Sequence, residues 1–153
     1  MRVGWVAWVT VVVSSVLALG CKPTEANGGA REGIQDYPYE VVTTVGMITD
    51  VVRQVAGEHA EVTGLIGEGT DPHLYKASTP DVKRLLAADV IFYNGLMLEG
   101  KMGDVLVKVA RNGKPVHAVT EEILSGGDYV ITDAENHYDP HVWMDVTGWK
   151  EAV

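Results

Sequence analysis

The sequence predicts an α/β fold, a parallel four-stranded sheet flanked by helices, and three observations predict it. Short β-branched or apolar runs alternate with segments whose apolar residues recur at helical spacing, in the order β-α-β-α-β-α-β between Glu40 and Val119. Glycine, asparagine or proline punctuates the runs. Hydrophobic residues make up 46% of the 153 residues, enough for one core and too little chain for two ordinary domains.

The first strand is expected over Glu40–Val45 (EVVTTV), because a β-branched run stops there at Gly46. Met47–Ala56 then places Ile48, Val51, Val52, Val55 and Ala56 on one helical face before Gly57. Glu61–Ile66 (EVTGLI) forms the second strand and leads into a loop, Gly67 to His73, with two glycines and a proline. Thr79 offers an N-cap hydroxyl and Pro80 suits the first helical position, with Val82, Leu85 and Leu86 as the apolar stripe. Val90–Tyr93 is a continuous apolar run of the kind buried in parallel sheets, and Asn94-Gly95 ends it. Leu98, Met102, Val105, Leu106, Val109 and Ala110 keep helical spacing up to Asn112-Gly113, and Pro115–Val119 is the fourth strand. Parallel strands joined by helices need right-handed crossovers, which stack the chain into layers. Thr120–Asp139 reads as loop with a short strand at Tyr129–Thr132. Asp145 is placed to cap a last helix whose apolar positions Val146, Trp149 and Val153 are spaced by three and four. No cap or tail follows, so the sequence is expected to stop in mid-element as part of a longer protein.

Ahead of this body, Met1-Arg2 precedes a run from Val3 to Leu19 without a charge, which reads as a signal peptide over residues 1–20. Ala18-Leu19-Gly20-Cys21 resembles a bacterial lipoprotein box, which implies a diacylglycerol on the Cys21 thiol and an exported protein held at a membrane. Residues 21–39 are polar and aperiodic and read as a lipid-anchored tether. Cys21 is the single cysteine, so neither a disulfide framework nor a cysteine cage for zinc is available. Lys plus Arg number 12 against 21 Asp plus Glu, a formal charge of -9, which disfavours nucleic acid as a partner.

The chemistry lies in a repeated pattern, Asp71-Pro72-His73-Leu74-Tyr75 and Asp139-Pro140-His141-Val142-Trp143, each Asp-Pro-His-x-aromatic. Proline fixes φ ahead of the imidazole and the aspartate can close an Asx-type turn, so the backbone presents a histidine stiffly. A metal ligand needs that stiffness, and imidazole nitrogen suits zinc and other first-row ions. His73 and His141 are therefore the candidate metal ligands. His59, His117 and His137 have no comparable context and are read as non-ligands. Glu68 could lend an oxygen but is read first as a solvated loop carboxylate, and Glu99, Asp104, Glu121, Glu122 and Asp128 are read as solvated charges. A metal-dependent hydrolase is disfavoured because there is no His-Glu-x-x-His, and nucleophilic catalysis because there is no Gly-x-Ser-x-Gly.

The stretches TDPHLYKASTPDVKRLLAADVIFYNGLMLEGKM and YDPHVWMDV resemble the zinc and manganese receptor family of bacterial ABC importers, over about residues 40–153. The resemblance implies a solute-binding lipoprotein, not an enzyme, with two α/β lobes joined by one long helix and the metal held between them. It makes residues 40–145 the amino-terminal lobe and residues 146–153 the truncated start of the linking helix. His73 and His141 match the family's two ligands from that lobe, and the others, usually a His or Glu and an Asp, come from the second. The implied cargo is a divalent transition metal, manganese or zinc and also iron. The implied partners are an ABC permease and its ATPase, met by a monomer at the cell surface or in the periplasm. Zinc-dedicated relatives often carry a histidine-rich loop, whereas Thr120–Tyr138 holds only His137, which tilts the expectation toward manganese or mixed manganese and zinc. The alternative is an adhesin-like surface lipoprotein without a transport role, whose activity would survive loss of both histidines.

Overall fold

In the computed structural model, four parallel strands lie in the order β2-β1-β3-β4. The structure describes residues 37–121, 123, 132, 135 and 137–153. The expected signal peptide, Cys21, nearly all of the tether, Glu122, Asp128 and residues 129–131 of the expected short strand lie outside them. Thr132 forms an antiparallel bridge with Tyr138. Among the described residues no helix is long and apolar enough to cross a membrane.

The strands are β1 (Tyr39–Thr43), β2 (Ala60–Gly64), β3 (Val90–Tyr93) and β4 (Val116–Ala118). Each starts or ends within two residues of its expected position, and β1 takes in Tyr39, the last residue read as tether. In register, Val41 lies opposite Val62 on one side and Val90 on the other, while Phe92 lies opposite His117. Since β1 connects outward to β2 and the chain then returns to β3 on its other side, the order reverses between β1 and β3. The crevice beyond the carboxyl ends of those two strands is where an open α/β sheet gathers a binding site.

The helices are α1 (Gly46–Ala56), α2 (Thr79–Ala87), α3 (Gly103–Arg111) and α4 (Val146–Ala152). Alternation along the strands puts Val42 and Ile91 on the same face, where they join one core cluster with Leu85 of α2 and Leu106 and Val109 of α3. Leu85, Ile91, Leu98 and Met102 are fully buried, each worth about 1.5–3 kcal/mol of apolar transfer. On the opposite face a cavity of about 440 Å³ is bordered by Val41, Phe92, Val52 of α1, and Trp149 of α4.

Three local expectations are corrected. The N-cap of α2 is Ser78, not Thr79: its side chain and that of Asp81 form a reciprocal capping box, and Pro80 sits within the first turn. The α2 stripe is narrower than Val82, Leu85 and Leu86, because Leu86 is 45% exposed. The third helix starts at Gly103, not around Leu98. Gly95, Leu96, Met97 and Gly100 all take positive φ, at 89°, 50°, 66° and 32°, which no α-helix accommodates, and a 3₁₀ turn over Gly100–Met102 intervenes. As expected, Asp145 caps α4, its carboxylate accepting from the Thr147 N–H at 2.9 Å, but of the expected apolar positions only Trp149 packs on the core, Val146 and Val153 being exposed.

Candidate metal centre

The first Asp-Pro-His segment lies in the loop between β2 and α2. Its aspartate closes the expected Asx turn, the Asp71 carboxylate accepting the His73 N–H at 2.9 Å. The Asp71 carbonyl accepts from Leu74 N–H at 3.3 Å and the Pro72 carbonyl from Tyr75 N–H at 3.4 Å, so the segment coils tightly around the histidine. The aromatic residue of the motif ties the coil to α2: the Tyr75 hydroxyl donates to Asp81 at 2.8 Å. Burial, then that hydrogen bond, raises the Tyr75 pKa above the ordinary tyrosine value.

The second segment repeats the turn. The Asp139 carboxylate accepts the His141 N–H at 2.9 Å and also lies 2.6 Å from His141 Nδ1. A carboxylate at Nδ1 places the proton there and leaves Nε2 as the lone-pair donor, the arrangement that orients imidazole ligands in metal sites. The next residue, Val142, is buried, and the Trp143 ring stands 5.2 Å from the imidazole of His141. The aromatic position of this second copy thus packs against its own histidine, whereas Tyr75 reaches away to α2.

The two segments, far apart in sequence, meet. The His73 and His141 rings lie with centroids 5.6 Å apart at 63° to one another, and both are exposed. Among the described residues no group of three or more His, Cys, Asp or Glu side chains is placed to hold a metal ion, so the pair stands as two nitrogen donors. A tetrahedral zinc ion takes four.

The remaining sequence candidates lie elsewhere. The His59 ring stands 4.8 Å from that of Tyr37, and His117 stacks on Phe92 at 5.6 Å. His137, Glu68 and Asp104 are exposed. Glu121 is exposed too, though its carboxylate accepts the Leu96 N–H at 3.3 Å.

Glu99 overturns its expectation: read as a solvated charge, it is 2% exposed. One of its oxygens accepts from the Thr44 hydroxyl at 2.7 Å and from Asn94 N–H at 2.6 Å, and the other from Gly95 N–H at 3.1 Å. These three donors sit where β1 and β3 end, so the buried carboxylate ties the two sides of the crevice together. Asn94 is wholly buried as well, and its amide nitrogen donates to the Pro140 carbonyl at 3.0 Å, one residue before His141. In the sequence, Asn94-Gly95 reads only as a strand stop. The available signal was the bracketing of Leu98-Glu99 by Gly95 and Gly100, which points to a built turn rather than a helix start.

The family model described as ZnuA, the periplasmic zinc-uptake complex component A, matches residues 41–153. Across 153 residues the chain is 37% identical to the manganese-binding lipoprotein MntA of Bacillus subtilis, covering 100% of this chain and 47% of that protein. It is 43% identical to the zinc-binding protein TroA of Treponema pallidum, covering 93% of this chain and 46% of TroA. Among solved structures, the periplasmic TroA of Treponema pallidum superposes with a TM-score of 0.67 at 46% identity, over 73% of this chain and 39% of that one. Fe(III)-bound YtgA of Chlamydia trachomatis gives 0.63 at 29% identity, over 73% and 39%. The chain thus spans about half the length of the relatives it matches. With the sheet order, the paired motifs and a family match over residues 41–153 in agreement, the chain belongs to the ZnuA family of periplasmic metal-uptake components.

Proposed function

We propose that this chain is the amino-terminal lobe of an extracytoplasmic receptor that captures a divalent transition metal, manganese or zinc, and passes it to an ABC permease driven by its ATPase. The observation that carries the reading is the convergence of His73 and His141 at 5.6 Å, each presented by its own Asp-Pro turn. Receptor work needs no bond made or broken, and capture asks only for donors held in place before the ion arrives. Imidazole accepts zinc best, iron less well and manganese least, yet two nitrogens fill only part of a coordination sphere and do not fix the ion. The names of the relatives span the same range, with manganese for MntA, zinc for TroA and Fe(III) for YtgA.

The leader directs export, Cys21 carries the lipid, and residues 21–38 tether a monomer to the membrane, at the cell surface or in the periplasm. α4 begins the helix that links to a second lobe, and that lobe supplies the oxygen or nitrogen ligands missing here. MntA is described as a lipoprotein and the matched family as periplasmic, in keeping with this placement. Calorimetry on the complete protein tests the site. His73→Ala and His141→Ala are each expected to weaken manganese and zinc binding on the order of 100-fold, about 2.7 kcal/mol. Wild-type affinity in either variant would overturn the assignment.

A further inference from the structure

We infer that the turn from Asn94 to Gly100 is a positioning element that sets the His73 and His141 imidazoles against one another, so that one ion meets both. This rests on the metal-receptor reading above and concerns residues that touch no metal. The turn leaves the carboxyl end of β3 and reaches each histidine segment by a separate contact. Toward His141, the Asn94 amide nitrogen lies 3.0 Å from the Pro140 carbonyl and 3.1 Å from that of Gly95. Two carbonyl oxygens admit only a donor between them, which fixes the orientation of the amide. The Asn94 side chain is held this way although its own oxygen is buried with no donor among the described residues. Toward His73, the backbone of Gly100 lies so close that a methyl group there would overlap the His73 carbonyl oxygen. Gly100 also takes a φ of 32°, where a side chain is disfavoured in any case.

One residue makes the turn a single body. Glu99, through the Asn94 and Gly95 N–H groups and the Thr44 hydroxyl, locks both ends of the turn to the sheet. A turn needed only to join β3 to α3 has no call to touch the residue before one imidazole and the carbonyl of the other. The spacing of the two donors is thereby set by the sheet through one turn, not by two independent loops.

The test uses the complete protein with Co(II) as the probe, reading affinity together with the visible d–d absorption, which reports how the imidazoles sit around the ion. Asn94→Asp keeps the shape and places an acceptor against two carbonyls, and Gly100→Ala pushes on His73. Asn94→Ser, too short to reach Pro140 and uncharged, serves where the aspartate does not fold. Val109→Ala, a buried core change at the far end of α3, controls for lost stability. The expected result is affinity at least about tenfold lower and a shifted spectrum for the Asn94 and Gly100 variants, with a lower Tm but neither change for Val109→Ala. Wild-type affinity and spectrum in the folded Asn94 variant or in Gly100→Ala overturn the inference, as does an equal spectral shift in Val109→Ala. A wild-type protein that takes up no Co(II), manganese or zinc overturns the receptor reading itself.

Discussion

Asp81 concentrates several donors on one carboxylate. Burial alone pushes its pKa up, but hydrogen bonds from the Ser78 hydroxyl and N–H, then from Tyr75, with the Arg84 guanidinium beside it, hold it below the ordinary carboxylate range. In the unfolded chain it titrates near 3.9. A folded pKa below the unfolded one stabilises the fold fully above that value and ever less as pH falls through the folded one. Asp81→Asn is therefore expected to lower stability at pH 7 by about 1–2 kcal/mol, the scale of a lost helix cap, and the gap to wild type should close in acid. Thermal unfolding from pH 7 down to pH 2 measures it, and a gap independent of pH contradicts this account. Glu99 likewise gathers three donors on one buried carboxylate. Its replacement by Leu leaves the Thr44 hydroxyl and two N–H groups without an acceptor, at about 1–3 kcal/mol each, so denaturant unfolding should show a loss of about 3 kcal/mol or more. Of these residues the sequence displays only some. The Asp-Pro-His turns are legible because the aspartate, the proline and the N–H they order are neighbours in the chain. Glu99 shows only an indirect local sign, the glycines at 95 and 100 that bracket it in a turn, because its burial comes from β1 and β3 closing over it.

Among elements, legibility follows the same division between local and distant causes. The strands and α1 could be read from periodicity, which is a property of adjacent residues. The start of α3 could not: Leu98 and Met102 are spaced as on one helical face and both are buried, yet they lie in or before a 3₁₀ turn. Ser78 and Thr79 both offer a hydroxyl to cap α2, and only the return bond, from the Ser78 N–H to the Asp81 carboxylate, singles out Ser78. The width of the α2 stripe is testable. Leu85 is wholly buried and Leu86 is 45% exposed, so Leu85→Ala should cost about 2–5 kcal/mol and Leu86→Ala within about 0.5 kcal/mol of nothing. Similar losses at the two positions, read from urea midpoints, would mean that a further surface covers Leu86.

At the scale of the whole molecule, both imidazoles meet beside the turn that leaves the carboxyl end of β3, and their exposure leaves one side of any bound ion open. Two exposed nitrogens replace only part of an ion's water shell, so tight capture needs donors from a facing surface that also excludes solvent. The proposed second lobe is that surface, and the relatives, about twice the length of this chain, have room for it. The native protein extracted from its own membrane should then have a polypeptide mass about twice that of these 153 residues, a diacylglycerol adduct on Cys21 and close to one metal ion per chain. Intact mass and metal content read on one sample check all three. A native polypeptide ending at Val153 and free of metal would contradict the two-lobe receptor, because His73 and His141 alone do not complete a coordination sphere.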